Sequence, residues 1–477
     1  MKKLIFIIVS LLLPGVMAAE TLTLDSCRAL ALRNNKQIKM ADEAVRGAGY
    51  LRKSAHAAYL PGLDFTAAYT YNQHNIELLG EDAKLPTMSF NPATQQFQYN
   101  VLTAPDGTPI KDPATGSYIP TEVAVIPKEA MTFDVHNVVA GAFTLTQPIY
   151  MGGQIRALNE IARYGEELAV AGRNVAVQDL LYGVDEAYWL VVSLKEKQKL
   201  ASSFESLVDS LCYSVNALMR NGMATKSDLL TIEVKLNEAK IAYTKVTNGL
   251  SLARMALEQM CGLPIGGDFV LADEEVMSTP KVETIPSYEM QDIYARRQDL
   301  EVLRKSIGML EGKERLSLSA MLPKIAAIGT YTFSNPNVIH GFEKRFGGGF
   351  SIGAAVTIPL WHWGGNYHQY KAAKSATLAQ RLLLEDMEEK VDLQVRQAKF
   401  KFEEAFKTLD MTRTNMEKAD ENLRTAQLGY KEGVLTLDDV TAAQTAWLQA
   451  HSEQVDAEIG VRLCEVYLSK VLGLMPY

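Results

Sequence analysis

After Ala19 the 477-residue sequence has no run of 18 or more apolar residues. That excludes a bundle of membrane-spanning helices. It does not exclude membrane β-strands, whose apolar signal is weak per segment. A basic excess is also missing: 48 Lys and Arg stand against 56 Asp and Glu, for a net charge of -8, and no basic stripe runs along the chain. A phosphate-binding face needs one, so nucleic acid is not an expected partner. Cysteine is scarce. Cys27, Cys212, Cys261 and Cys464 form no CxxC pair and no metal-finger spacing, and four in so long a chain make no disulfide framework. All lie in helix-like stretches, where a buried apolar thiol is the expected role.

Motifs for chemistry are equally thin. His56, His74, His136, His340, His362, His368 and His451 form no i, i+4 pair and no HExxH. Gly347-Gly348-Gly349 is followed by neither a helix start nor a Lys-Ser/Thr pair, so it is strand flexibility and not a phosphate cradle. There is no GxSxG. No catalytic, cofactor-binding or metal-binding residues are therefore expected, and no enzymatic activity.

What the chain does have begins at its N-terminus. Lys2 and Lys3 precede an apolar run from Leu4 to Leu13, then Pro14, Gly15 and the small-residue stretch to Ala19. This is the order of a secretory signal peptide, over residues 1–19, with an apolar core too short to span a bilayer. Cleavage is expected after Ala18 or Ala19.

The sequence is also internally repeated. Leu60-Pro61 and Leu322-Pro323 each open an alternating run, and the prolines are 262 residues apart. Asn35-Lys36-Gln37-Ile38 and Arg297-Gln298-Asp299-Leu300 share that offset. Downstream, Pro148 and Pro359, Gly153 and Gly364, Gly222 and Gly433, and Gly262 and Gly473 are each 211 apart. Chance would not hold two constant offsets over such spans, so the chain reads as two copies of one unit. The first copy carries 51 extra residues between Pro61 and Pro148. The copies are set at 20–263 and 288–477, with 264–287 between them as a linker.

Each copy has two strands and a helical hairpin. Leu63, Phe65, Ala67, Tyr69 and Tyr71 alternate with Asp64, Thr66, Ala68, Thr70 and Asn72. The return strand sets Val139, Phe143 and Leu145 against Ala140, Ala142, Thr144 and Thr146, giving a pair over about 63–147. In the second copy the pair spans about 324–359. Period two with one apolar and one polar face, about ten residues long, suits a tilted membrane strand. It suits a soluble hairpin as well. The extra residues form a turn-rich loop, 73–136, of the kind barrels place outside the cell.

Proline is absent from Met151 to Leu263 and from Trp361 to Met475. Apolar residues there recur at helical spacing, as in Leu180, Val184, Ala187, Tyr188 and Val191, or Leu393, the Arg396 stem, Ala398, Phe402 and Ala405. The aligned turns Arg220-Asn221-Gly222-Met223 and Lys431-Glu432-Gly433-Val434 divide each stretch into a hairpin, 151–263 and 364–475. Ser227-Asp228 and Asp438-Asp439 restart the helices as caps or first-turn acids. From Pro148 to Gly222, and from Pro359 to Gly433, is 74 residues, an arm of roughly 110 Å if helical. That exceeds the ~30 Å of a bilayer core several times over. Four strands cannot close a barrel, for which about eight is the minimum; three chains would supply twelve.

The tandem units, the Leu-Pro before each first strand, Pro148 and Pro359 after each return strand, the Gly-Gly pairs 152–153 and 364–365, and the two tip motifs together resemble the TolC-like outer-membrane efflux family (outer membrane factors) over essentially the whole mature chain. The resemblance implies a homotrimer: a 12-stranded β-barrel in the outer membrane, continued by a long α-helical barrel in the periplasm, with an equatorial mixed α/β belt. The segment 264–287 and the C-terminus look like belt material. It implies the exit duct of a tripartite efflux or type I secretion system, working with a periplasmic membrane-fusion adaptor and an inner-membrane transporter of RND, ABC or MFS type.

In that family the hairpin tips form the periplasmic mouth. Arg220, Gly222, Met223, Gly433, Val434 and Thr436 match adaptor-facing tip positions. Asp439 matches a ring of acids that narrows the mouth, and Asp228 a residue that latches neighbouring helices. The chain departs from the family pattern at Ala442, where a second ring acid is expected, and at Leu435, in place of a latch arginine. The rival reading is a soluble periplasmic coiled-coil scaffold. A nutrient porin would need many more strands per chain.

Overall fold

The computed structural model describes residues 20–274 and 288–476. The leader at 1–19 and residues 275–287 of the linker lie outside the described residues. In chain order the elements are β1 (Glu20–Leu22), α1 (Leu24–Asn34), α2 (Lys36–Ala57), β2 (Gly62–Tyr71), β3 (Ile76–Glu77), β4 (Ala83–Pro86), β5 (Met88–Asn91), β6 (Gln96–Tyr99), β7 (Val123–Ile126), β8 (Thr132–Phe133), β9 (Asn137–Tyr150), α3 (Gln154–Arg220), α4 (Lys226–Cys261), β10 (Phe269–Leu271), α5 (Met290–Arg296), α6 (Gln298–Ser319), β11 (Lys324–Asn335), β12 (Gly347–Thr357), α7 (Gly365–Lys431) and α8 (Leu437–Val471). They form two compact units, His56–Ile155 with Leu318–Tyr367, and the remainder. Each unit draws on both copies of the repeat.

The first unit is built on one antiparallel sheet in the order β12-β11-β9-β2. Its register lines the alternating residues into rows. Phe65 pairs with Phe143, Phe143 with Tyr331, and Tyr331 with Phe350, so one aromatic row crosses all four strands. The next row along the opposite face is Asp64, Thr144, Thr330 and Ser351. Phe65 and Phe143 are 4.7 Å apart between ring centroids. Among the described residues nothing covers this apolar face: Phe350 is 80% and Ile352 81% exposed. The loop of the first copy is not plain coil. It is an arm of three short antiparallel ladders, β3 with β8, β4 with β7, and β5 with β6.

The second unit is helical. α3 and α7 have 67 residues each, about 100 Å of helix apiece. Among the described residues no helix is long and apolar enough to cross a membrane. Two of its hydrophobic clusters use the same positions of the repeat. One buries Ile38, Leu180, Val184, Ala187, Val191 and Leu257; the other buries Leu300, Val391, Val395, Ala398, Phe402 and Leu468. The duplication thus extends to the cores. It corrects one detail of the sequence reading: in α7 the buried stripe is Val391, Val395, Ala398 and Phe402, whereas Leu393 is 54% exposed and Arg396 pairs with Asp392 at the surface. Leu393, two positions from both Val391 and Val395, is turned to the opposite face of the helix, about 160–200° from them.

The breaks between α1 and α2 and between α5 and α6 show the same correspondence. Asn35 Nδ2 donates to the Met260 carbonyl at 3.0 Å, and Arg297 Nη1 donates to the Val471 carbonyl at 3.2 Å. The helix ends they cap run into Gly262 and Gly473, both left-handed at φ 68° and 69°. A Cβ on Gly262 would lie 2.6 Å from Asn34 Cβ, and one on Gly473 would lie 3.0 Å from Arg296 Cβ. Only glycine meets both demands. Beside this joint, Arg28 clamps the fully buried Asp185 with two bonds, Nε to Oδ1 at 2.7 Å and Nη2 to Oδ2 at 2.6 Å. β1 pairs in parallel with β10, which brings the start of the linker against residues 20–22.

Candidate functional site at the hairpin tips

Each hairpin turns through the same local chemistry. At the end of α3, Gly222 N–H donates to the Met219 carbonyl at 2.9 Å and Met223 N–H to the Leu218 carbonyl at 2.9 Å. At the end of α7, Gly433 donates to Tyr430 at 3.1 Å and Val434 to Gly429 at 2.8 Å. These are paired bonds closing helix ends on a left-handed residue, with φ 77° at Gly222 and 74° at Gly433. No neighbour comes within 4 Å of a Cβ built at either glycine. The turn geometry alone demands glycine there; crowding does not.

The next helices open with reciprocal capping boxes. The Thr225 hydroxyl accepts from Asp228 N–H at 3.1 Å, while Thr225 N–H donates to Asp228 Oδ2 at 2.8 Å. Thr436 and Asp439 repeat this at 3.3 and 2.8 Å, and the Thr436 hydroxyl also donates to Asp439 Oδ2 at 2.7 Å. Two otherwise orphaned donors are satisfied at each helix start. The backbone and side chain of Thr225 hold the Asp228 carboxyl below the usual carboxylate range. For Asp439 the Thr436 side chain leads and the backbone follows, with the same direction. Both acids are therefore charged at neutral pH.

Of the residues marked as tip positions, Arg220, Gly222, Met223, Gly433, Val434 and Thr436 are all exposed. Met223 and Val434 are apolar side chains in open solvent. Asp439 is exposed and Asp228 half-buried. The two tips are joined within the protomer. Val208, Val215 and Ile232 of the first hairpin pack with Leu437 and Tyr430 of the second, and Leu207 and Leu211 meet the cluster around Val440 and Ala443. Burial, then the charge of Asp228, pushes the Tyr430 hydroxyl up. Leu435 packs onto Gly429, an apolar contact at the departure noted above, and Ala442 is exposed.

Sequence reading missed two parts of this region. Tyr430 bridges both apolar clusters, and Asp420 joins α7 to α8 by accepting from Trp447 Nε1 at 2.6 Å and contacting His451 Nε2 at 2.9 Å. The repeat offset could have flagged the second. The corresponding positions in the first copy are Asp209, Leu236 and Lys240, so an acid and a basic residue stand at the same two positions in both copies. Among the described residues no three His, Cys, Asp or Glu side chains converge as a metal site would need.

An uncovered aromatic face on a sheet open at both edges, together with helices of about 100 Å, defines the class of protein: a channel whose wall one chain supplies only in part. Residues 132–263 and 290–474 match the outer membrane efflux protein family, and the chain belongs to that family. Among solved structures it is similar to the outer membrane protein VceC of Vibrio cholerae, with 14% identity, a TM-score of 0.70 and coverage of 94% of this chain and 96% of that one. It is similar also to the Campylobacter jejuni CmeC outer membrane channel (16% identity, TM-score 0.70, 94% and 85% covered) and to the open state of the Neisseria gonorrhoeae MtrE channel (18%, 0.70, 94% and 88%). No curated protein sequence matches. The chain is an outer-membrane efflux channel protein. It is the outer-membrane component of a tripartite system that includes an adaptor and an inner-membrane pump.

Proposed function

We propose that three copies of this chain form the duct, with Asp439 from each copy ringing the periplasmic mouth and Asp228 latching neighbouring helices beside it. The observation that carries the channel reading is the aromatic row crossing four strands with no covering partner. Such a contiguous apolar surface is a liability in water and a requirement in lipid. It disfavours the soluble scaffold, which would leave Phe350 and Ile352 wet.

The exposed tip residues Arg220, Gly222, Met223, Gly433, Val434 and Thr436 offer the adaptor two helix ends with apolar knobs at Met223 and Val434. The transporter behind it is of RND, ABC or MFS type. Three carboxylates converging on an axis give a negative potential that favours cations at rest. Ala442 supplies no second acid one turn on, so Asp439 is the ring acid of that pattern present here. In planar bilayers under a salt gradient, Asp439→Ala is expected to move the reversal potential toward zero. A reversal potential equal to that of the parent channel would refute the ring.

A further inference from the structure

Cys27 lies on α1 and Cys261 ends α4, 234 residues later, yet they meet in the largest hydrophobic cluster, both at 0% exposure. The Cys261 thiol donates to the Cys27 carbonyl at 3.6 Å, which sets its sulfur against the Cys27 backbone, and both cysteines are free thiols in this structure. The repeat makes this pair conspicuous. In the second copy the matching positions are Glu289 and Leu472, and Leu472 closes the joint as an ordinary buried apolar residue. Cys212 and Cys464 pack in two other clusters.

We propose that Cys27 and Cys261 are joined by a disulfide in the exported protein, stapling the N-terminal helix α1 to the end of the first hairpin. The inference rests on export to the periplasm, an oxidising compartment, and not on gating at the tips. The oxidant is the disulfide of a periplasmic thiol–disulfide exchange protein. The Cys27 thiolate attacks that disulfide and expels one thiolate. The Cys261 thiolate then attacks Cys27 Sγ, forming the Sγ–Sγ bond and expelling the second thiolate. Two electrons pass to the oxidant, and the protons of the two cysteines end on its two thiols. Because both sulfurs are sealed in the folded unit, the exchange precedes helix packing. Afterwards the same burial protects the bond from reductants. A crosslink closing so long a loop restricts the unfolded chain strongly.

The test is a thiol count on the mature protein, extracted from cell envelopes, acid-quenched, denatured and alkylated with N-ethylmaleimide before peptide mapping. The expected result is adducts on Cys212 and Cys464 only, with a linked peptide containing Cys27 and Cys261. Reduction should remove that peptide and raise the adducts from two per chain to four. The Cys212→Ser/Cys464→Ser double variant, which leaves the joint intact, should give no adduct until reduced. Adducts on Cys27 and Cys261 in unreduced protein would overturn the proposal. The oligomeric state of the same sample reports separately on the channel reading.

Discussion

At the scale of single residues, the tips are governed by two threonine–aspartate boxes and two glycines. Removing a capping hydroxyl frees one helix-end donor, so Thr436→Ala should speed hydrogen exchange of the first-turn amides of α8 roughly fivefold to tenfold. Thr425→Ala, whose hydroxyl only bonds back to Glu421 within α7, should leave them unchanged. The acids add a pH dependence of definite sign. Asp228 and Asp439 are held below the ordinary carboxylate value of about 3.9. Their contribution to the caps is complete above that value and is lost as pH falls through the lower, folded-state value. Protection of the same amides, corrected for intrinsic rates, should hold on acidification to about pH 4 and then fall. Loss near neutral pH would contradict the box geometry. The N-caps are Thr225 and Thr436 rather than Ser227 or Asp438, but the first-turn acids Asp228 and Asp439 and the turns at Gly222 and Gly433 were legible in the sequence. The Asp420–Trp447–His451 contact was not, because the α7–α8 crossing that brings position 420 to 447 has no local signature.

At the scale of elements, the strands and the long helices announced themselves by alternation and by the absence of proline over more than a hundred residues. α1, α2, α5 and α6 did not. The 22 residues of α2 bury only Ile38 within the protomer, so no apolar stripe marks the helix. The position Asn35 was recognised as repeat-matched without its flanking helices. The ladders of the first-copy loop are two to four residues long, shorter than any pattern that period two can reveal. The strand faces, by contrast, make a sharp prediction. Phe143 belongs to the aromatic row and its neighbour Thr144 to the opposite row. Phe143→Arg would put a charge into lipid at a cost of about 2–4 kcal/mol near the membrane midplane. Yield of the heat-modifiable oligomer on semi-native gels should fall for Phe143→Arg and persist for Thr144→Arg. Equal yields would mean that the rows are not divided between lipid and lumen.

At the scale of the molecule, both compact units are assembled from both copies of the repeat, so the duplication builds a sheet and a helical body rather than two beads on a string. The sheet ends at β2 and β12. Each edge presents unpaired backbone donors and acceptors that a membrane cannot satisfy. They must pair with β12 and β2 of neighbouring copies, and three copies give the smallest closed ring with room for a passage. The most direct test is electron cryomicroscopy of the mature chain purified in mild detergent. The account predicts a three-fold particle with a continuous twelve-stranded wall, in which β2 of one copy is hydrogen-bonded to β12 of the next. A monomer that stays dispersed in water without detergent, or a particle without a central passage, would contradict it.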